Sequence, residues 1–189
     1  MLAALLLASS LAAPPAPLAA ATLRARYGNL AALSAEVTQV KEGRFWARPM
    51  RSQIKLRWTQ GRIEWETVSP VRSLVTIEGD ALSITDSHGH TRSLGAAGDP
   101  RFRALITMLR AFLSLDLPVI ERDFTLEYAG LDLVARLRPE ATVRVFSTLR
   151  FRFDERLELI GLELVAESER TNLTFDHVIR DLRKAAGAP

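Results

Sequence analysis

Residues 54–86 alternate apolar and polar side chains between short turns, and this pattern constrains the fold of the chain more than any other feature. Positions 54–58 read Ile-Lys-Leu-Arg-Trp, and 62–66 read Arg-Ile-Glu-Trp-Glu after a glycine-containing turn. Two further apolar stretches follow at 74–77 and 82–84, each after a turn signal. Alternation with a period of two between turns predicts four antiparallel strands with one apolar and one polar face. Such a one-sided sheet needs another layer to cover its apolar face.

The segment 100–115 is predicted to form a helix with a wide apolar surface. Its polar side chains fall within one narrow sector of the helix: Arg103, Thr107, Arg110 and Ser114. Apolar side chains cover well over half of the circumference, whereas packing on a single sheet needs a stripe of about 100°. We therefore expect burial on more than one side, against the sheet and either a second helix or a ligand. Asp99 is predicted to cap the helix, and Leu117-Pro118 to end it.

The rest of the chain is predicted to add a short N-terminal helix and further strands. Thr22 can cap the helix, and the first strand is predicted from Ala35 to Trp46. Later strands are predicted at 91–94, 124–128, 131–137, 145–153, 157–165 and 169–175. Val178 and Ile179 are predicted to form a terminal helical turn. The fold class is therefore α+β, mostly β: an open, incomplete antiparallel β-barrel of about ten strands with a helical lid over an apolar cavity.

The N-terminus is predicted to be a secretory signal peptide over residues 1–21. An apolar stretch is followed there by alanines and prolines, with no charge before Arg24. We predict cleavage near Ala19–Ala21, one domain over 22–180 and a flexible tail over 181–189. The sequence has no cysteine, which excludes disulfides and a lipidated cysteine at the mature N-terminus. An exported form is therefore expected to be soluble and to fold through its core alone.

The formal net charge of +3 does not indicate nucleic-acid binding, because basic and acidic residues are interleaved without a basic stripe. Motifs typical of enzymes, such as a P-loop, a nucleophile elbow or a zinc-binding helix, do not occur in the sequence. His88 and His90 could chelate a metal, but we interpret them as part of a solvated turn. Glu64 and Glu66 could form a carboxylate pair, but we interpret them as the polar face of their strand. We predict no catalytic residue, no metal site and no cofactor.

Several segments follow a pattern known from one protein family. Leu33–Gln39 follows a short helix, and Ile63–Pro70 precedes Leu74–Leu82. The later strand segments are 149–154, 157–164 and 172–175. These motifs resemble those of the LolA-type lipoprotein carriers, with their phenylalanine-x-alanine-x-phenylalanine-threonine-glutamine opening and their tryptophan, proline and leucine-valine-x-x-glycine pattern. The resemblance extends from about Leu23 to Arg180.

The resemblance implies an open β-barrel whose helical lid covers an apolar concave face. Carriers of this family receive acylated lipoproteins from an inner-membrane transporter and pass them through the periplasm to an outer-membrane acceptor. For this chain the resemblance implies a periplasmic, monomeric carrier with those two kinds of partner and a chaperone role in outer-membrane biogenesis. Thr59-Gln60 stands where typical carriers have an arginine-proline pair. The resemblance therefore implies a divergent member that handles an acylated cargo.

Ten residues are predicted to contact the acyl chains of such a cargo. The cavity wall is predicted to consist of Leu56, Trp58, Ile63, Trp65, Leu149 and Phe151. The lid is predicted to contribute Leu105, Met108, Leu109 and Phe112. Two alternatives remain at this stage: a lipid-sensing or scaffold module of envelope-lipid assembly without a transport role, and an enzyme of the same pathway.

Overall fold

The computed structural model describes residues 18–44, 46–95, 100–141 and 144–182, which form one antiparallel sheet and three helices. The helices are α1 (Ala20–Tyr27), α2 (Pro100–Ser114) and α3 (Leu117–Asp123). The first six strands are β1 (Leu30–Gly43), β2 (Met50–Thr59), β3 (Arg62–Ser69), β4 (Ser73–Glu78), β5 (Ala81–Thr85) and β6 (Thr91–Gly95). The last five are β7 (Phe124–Ala129), β8 (Asp132–Leu137), β9 (Thr148–Phe153), β10 (Leu159–Val165) and β11 (Glu169–Leu182).

The sheet is open, because β6 and β7 lie at its two edges and do not pair with each other. The strand order is β6-β5-β4-β3-β2-β1-β11-β10-β9-β8-β7. Two meanders are thus joined where the first and the last strand pair, with Val37 opposite Phe175. The predicted fold class, an open antiparallel β-barrel with helical segments, is confirmed, with eleven strands among the described residues.

The four antiparallel strands predicted over residues 54–86 are present as β2, β3, β4 and β5. In β2 the side chains of Ile54, Leu56 and Trp58 are buried and those between them are exposed. Trp58 pairs with Ile63 across the β2–β3 turn, which brings the apolar side chains of both strands to one face. That face is the concave one, since it joins a single hydrophobic core with residues of α2.

Helix α2 packs on the concave face through a core of four buried residues: Ile106, Met108, Ala111 and Phe112. Arg103 and Thr107 are exposed. The remaining apolar residues of its wide face are only half-buried and lie next to the core. The expectation of burial against more than the sheet agrees with the contacts between α2 and α3.

The prediction that Leu117-Pro118 ends the long helix was wrong, since these residues begin α3. Helix α2 ends at Ser114, and the next residue, Leu115, has a left-handed φ of +52°. The amide of Asp116 then bonds the carbonyl of Ala111 at 2.9 Å, as in a Schellman motif. The Asp116 side chain caps α3, and Pro118 fits its first turn, where no amide donor is needed. The predicted cap Asp99 lies outside the described residues.

The predicted helical turn at Val178–Ile179 was also wrong, because β11 continues through it to Leu182. The pairing of β11 with β1 slips between Ser34 and Glu36, so His177 and Val178 form a bulge. His177 has a φ of +50° there. An extra residue in a strand breaks the alternation of side chains, which removes the sequence signal of a strand.

The N-terminal boundaries also differ from the prediction. Helix α1 begins at Ala20 with Ala19 rather than Thr22 at its N-cap, and β1 runs over Leu30–Gly43 rather than from Ala35 to Trp46. Residues 1–17 and 183–189 lie outside the described residues, so the signal peptide and most of the tail stay predictions. No helix in the described ranges is long and apolar enough to cross a membrane.

One end of the sheet is fastened to α1 by a buried tyrosine. The Tyr27 hydroxyl donates to the carbonyl of Leu157 at 2.9 Å and accepts from the amide of Leu159 at 3.0 Å. The Arg180 guanidinium lies 5.1 Å from the centre of the Tyr27 ring and also pairs with Glu158. This end of the concave face is therefore closed by packed and hydrogen-bonded groups.

Candidate functional site

A cavity of about 310 Å³ lies between the concave face of the sheet and α2. Most of its lining is apolar, and the lining residues belong to β1, β3, β4, β5, β10, β11, α2 and the segment before β9. The apolar lining residues are Ile63, Trp65, Val75, Ile77, Leu82, Leu109, Phe112, Leu113, Phe146, Leu162, Leu164 and Leu173. A cavity of this lining favours hydrocarbon over any charged or strongly hydrated ligand.

The wall on the meander side is a direct product of strand register. Trp65 lies opposite Val75, and Ile77 lies between Ile63 on one neighbouring strand and Leu82 on the other. Residues opposite each other in an antiparallel sheet share a face, so these five side chains form one continuous apolar surface. Trp65 is only half-buried, although it sits in the middle of this surface. Part of its ring therefore borders the cavity instead of packed protein.

Helix α2 supplies the opposite wall through Leu109, Phe112 and Leu113. Phe112 is buried and meets Phe124 and Phe151 edge to face, with ring centres 5.9 and 6.3 Å apart. Phe112 thus serves the core and the cavity together. Leu109 and Leu113 are half-buried, so their exposed surface is what a ligand would cover.

Four of the ten residues predicted from the sequence line this cavity: Ile63, Trp65, Leu109 and Phe112. The other six do not. Leu56, Leu149, Phe151 and Met108 are packed in the core, and Leu105 lies against the core. Trp58 borders a different groove. Contact of any of the ten with an acyl chain stays a prediction.

The groove beside Trp58 is larger, about 580 Å³, but its walls are more polar. It lies between α1 and the C-terminal half of α2, and Arg24, Arg110 and Asp116 are among its lining residues. A hydrocarbon chain placed there would take water from these charged groups without replacing their interactions. Volume alone therefore does not make this groove the better candidate.

The apolar cavity has one polar end, which the sequence reasoning missed. Its residues are Gln39, Lys41, Glu169 and Thr171. The Lys41 Nζ lies 3.6 Å from Oε1 of Glu169, and the Thr171 hydroxyl donates to that same oxygen at 3.1 Å. The other carboxylate oxygen accepts from Nε1 of Trp46 at 3.3 Å. Part of this polar end could have been predicted from β1. Gln39 and Lys41 are two and four residues after the buried Val37, so they point to the same face of the strand.

Glu169 is held in its ionised form by these donors. Burial raises the pKa of this carboxyl, but the hydrogen bonds from Trp46 and Thr171 and the charge of Lys41 outweigh burial, so the pKa lies below its ordinary value. The polar end is thus an ion pair of opposite charges with no net charge.

The polar residues that the sequence analysis considered as a carboxylate pair or as metal ligands do not line the cavity. Glu64 pairs with Arg57 and Arg62, and Glu66 pairs with Arg72, on the face away from the cavity. The interpretation of both carboxylates as the polar face opposite Trp65 is therefore confirmed. His88 and His90 are exposed and donate their backbone amides to Asp86 in a turn. No group of three potential metal ligands is found within the described part of the chain.

These features define the class of protein: an open antiparallel sheet whose concave face and one helix enclose an apolar, polar-ended cavity. No known family model matches the sequence, and no curated protein matches it. Among solved structures, the chain is similar to a LolA superfamily protein from Nitrosomonas europaea, with 7% identity over 89% of this chain and 95% of that one and a TM-score of 0.44.

Two further solved structures are similar in the same way. One is a DUF1329 family protein from Desulfovibrio piger, with 10% identity, a TM-score of 0.46 and coverage of 87% and 92% of the two chains. The other is an outer membrane lipoprotein-sorting protein domain from Vibrio parahaemolyticus, with 9% identity, a TM-score of 0.43 and coverage of 88% and 92%. The likeness is remote, and the function proposed for this chain rests on its own cavity.

Proposed function

We propose that this chain is a periplasmic carrier that binds the acyl chains of a lipoprotein or another lipidated cargo and passes the cargo towards the outer membrane. The observation that carries the proposal is the apolar cavity of about 310 Å³ between the sheet and α2. Buried hydrocarbon contributes about 0.8 kcal/mol per methylene, which supplies affinity without any specific polar contact. A carrier needs this kind of affinity, since it has to accept chains of differing length.

The size of the cavity limits what the closed form holds. Ligand cavities commonly measure about 300–1,000 Å³, so this one is at the small end of the range. A volume of about 310 Å³ suits one acyl chain or part of one. A cargo with several chains would need α2 to move away from the sheet.

Helix α2 is suited to such a movement, because its cavity-lining residues Leu109, Phe112 and Leu113 are all apolar. Among the described residues, Arg110 donates a hydrogen bond to the backbone carbonyl of Gly79. A cargo that binds the open form better than the closed form shifts the population by its difference in affinity. The transfer step of the proposal is therefore a change in the position of α2.

The rest of the proposal draws on the sequence motifs. Residues 1–21 would direct export, and the resemblance to LolA-type carriers suggests a donor transporter in the inner membrane and an acceptor in the outer membrane. The alternative is a lipid-sensing or scaffold module, which would bind lipid without passing it on. Transfer between two populations of vesicles separates these roles, because a sensor does not speed up that transfer.

The binding step is tested by replacing one cavity residue. Leu109→Glu places a charge at the cavity, and we expect the affinity for a fluorescent undecanoate to fall at least about tenfold. Thr107→Glu is the matched control, because Thr107 is exposed on the same helix. Circular dichroism reports whether each variant keeps its sheet. Unchanged affinity in a folded Leu109→Glu variant would exclude this cavity as the binding site.

A second test needs no substitution. The protein purified gently from its host is measured by native mass spectrometry, where a carrier is expected to retain lipid that is released on denaturation. Absence of lipid in every preparation, combined with no uptake of the fluorescent probe, would contradict the proposed function.

A further inference from the structure

The concave face changes from apolar to polar along the two central strands. Val37 and Phe175 are buried partners in the pairing of β1 with β11. Further along β1 the inward positions are Gln39 and Lys41, and further back along β11 they are Thr171 and Glu169, as their place in the cavity lining shows. Thr171 is buried and the other three residues are half-buried, so these groups lose part of their contact with water, which a purely hydrocarbon ligand would not replace. Their position in the lining suggests contact with a polar part of the ligand.

The four polar residues are not equivalent as partners for a ligand. Glu169 already accepts from Trp46 and Thr171 and pairs with Lys41. The Gln39 side chain, in contrast, has no hydrogen-bond partner within the described part of the chain, although it borders the cavity. Gln39 can donate and accept at once. It therefore suits a head group that has both a hydroxyl and a carbonyl.

The ion pair decides which charge the head group should have. Lys41 is the cation of the cavity lining, and its charge is already balanced by Glu169 at 3.6 Å. An anionic head would have to approach Lys41 against the repulsion of that carboxylate. A neutral head avoids this repulsion and still finds donors and acceptors in Gln39 and Lys41.

We propose that the polar end of the cavity, formed by Gln39, Lys41, Glu169 and Thr171, selects lipids with an uncharged, hydrogen-bonding head group over lipids with an anionic one. This inference rests on the proposed function, since it requires acyl chains in the same cavity. The ligand class is an acyl ester or amide whose head bears hydroxyl or amide groups, with its chain lying towards Trp65 and Phe112.

The first experiment compares three probes of equal chain length on the unaltered protein: 1-dodecanoylglycerol, dodecanoate and dodecyl phosphate. Calorimetric titration is expected to give an affinity for 1-dodecanoylglycerol at least about fivefold above that for either anion. Equal affinities, or tighter binding of either anion, would overturn the head-group inference and leave the proposed function standing. Failure of all three probes to bind would overturn both.

The second experiment reverses the selection. In Glu169→Gln the amide oxygen can still accept from Trp46 and the amide nitrogen can donate to the Thr171 hydroxyl, while the charge of Lys41 is no longer balanced. Dodecanoate is then expected to bind about tenfold more tightly, since it forms a charge-assisted hydrogen bond with Lys41. The affinity for 1-dodecanoylglycerol is expected to change much less.

The matched control is Glu42→Gln, because Glu42 is an exposed residue of β1 and its replacement changes the net charge equally. An equal gain for dodecanoate in both variants would mean that overall charge, and not the polar end of the cavity, governs the selection. That result would overturn the inference. The comparison of the three probes on the unaltered protein does not depend on the folding of either variant.

Discussion

The guanidinium of Arg110 on α2 donates a hydrogen bond to the backbone carbonyl of Gly79 in the turn between β4 and β5. This bond joins the helix that covers the cavity to the meander that forms its wall. The Nε of Arg110 is buried and has no partner among the described residues. The residue thus fastens α2 at the cost of one unsatisfied donor.

We expect Arg110→Met to loosen α2 and to speed the entry of ligand. Methionine keeps much of the apolar stem but makes no bond to Gly79, so the closed form loses one of its contacts. Stopped-flow mixing with a fluorescent fatty acid should show an association rate raised by several fold. The control is Arg103→Met, an exposed position on the same helix. Similar rates in Arg110→Met and the unaltered protein would contradict the role of Arg110 in closure.

We expect Phe112 to contribute mainly to the stability of the fold and Leu109 mainly to the binding of the ligand. Phe112→Ala removes a ring that meets Phe124 and Phe151, and we expect the free energy of unfolding to fall by about 3–5 kcal/mol. Leu109→Ala removes a half-buried side chain at the cavity and should cost less than about 2 kcal/mol while weakening probe binding. Urea unfolding and probe titration measure both quantities. A larger loss of stability in Leu109→Ala would contradict this division.

Tyr27→Phe tests the closed end of the sheet. The substitution leaves the carbonyl of Leu157 and the amide of Leu159 without their partner, which should lower the free energy of unfolding by about 1–3 kcal/mol. Tyr128→Phe is the matched control, since the buried Tyr128 hydroxyl has no hydrogen bond among the described residues. Equal losses in the two variants would mean that the Tyr27 hydroxyl contributes nothing particular.

The same tyrosine gives a dependence on alkaline pH. Burial raises the pKa of Tyr27 to about 12, although Arg180 acts in the opposite direction. The pKa of Tyr27 in the folded protein exceeds the unfolded value of about 10. The stabilisation of the fold by the neutral Tyr27 hydroxyl is therefore fully present below about pH 10. It is lost as the pH rises towards about 12. The unaltered protein should therefore lose more stability than Tyr27→Phe over this range, as measured by urea unfolding at a series of pH values.

We expect Glu169 to make the stability of the protein depend on pH in the acid range. Its folded pKa is lowered, so its contribution to stability is present above the unfolded value of about 4.3 and is lost as the pH falls through the folded value. The difference in melting temperature between the unaltered protein and Glu169→Gln should be constant near neutral pH and should shrink in acid. A difference that grows on acidification would be the wrong sign.

A side chain at position 43, in place of Gly43, is expected to destabilise the fold for a steric reason. A Cβ at this position would lie 2.4 Å from the carbonyl oxygen of Ser168, which belongs to the backbone of the β10–β11 turn. Gly43→Ala should therefore shift the end of β1 and lower the free energy of unfolding by about 1–3 kcal/mol. Gly61→Ala is the control, because a Cβ there would meet nothing within 4 Å. Equal stability of the two variants would contradict the contact.

The sequence predicted the sheet well where each strand has one buried face. Strand β2 alternates without a break over Ile54, Leu56 and Trp58, and the sequence of its partner β3 alternates over 62–66, so the strands and their apolar face could be predicted directly. The strand end at His177 could not be read, because a bulge interrupts the alternation. The start of α3 was missed for a similar reason. Pro118 indicates either the end of one helix or the first turn of the next, and only the left-handed turn at Leu115 decides between them.

The candidate site was predictable only in part, since a pattern shows which face a residue takes but not how deeply it packs. Leu149 and Phe151 face inward as predicted, yet the inward face of β9 is covered by the core and both side chains are fully buried. Trp65 has the same parity as Ile63 but lies where the cover is incomplete, and there the cavity forms. Pairing between the ends of the chain brings Lys41 to Glu169, and no local pattern specifies such a pair.

The pairing of β1 with β11 has a consequence for how the chain reaches its fold. Partners such as Val37 and Phe175 lie at opposite ends of the sequence, so the centre of the sheet joins only when the whole chain is present. Contacts of such large sequence separation slow folding, because a long loop must close before they form. While such a chain passed through a narrow translocation channel, β1–β6 and β7–β10 could each form their local pairs, but β1 could not yet pair with β11. For an exported chain, completion of the sheet would therefore be postponed until β11 has left the channel.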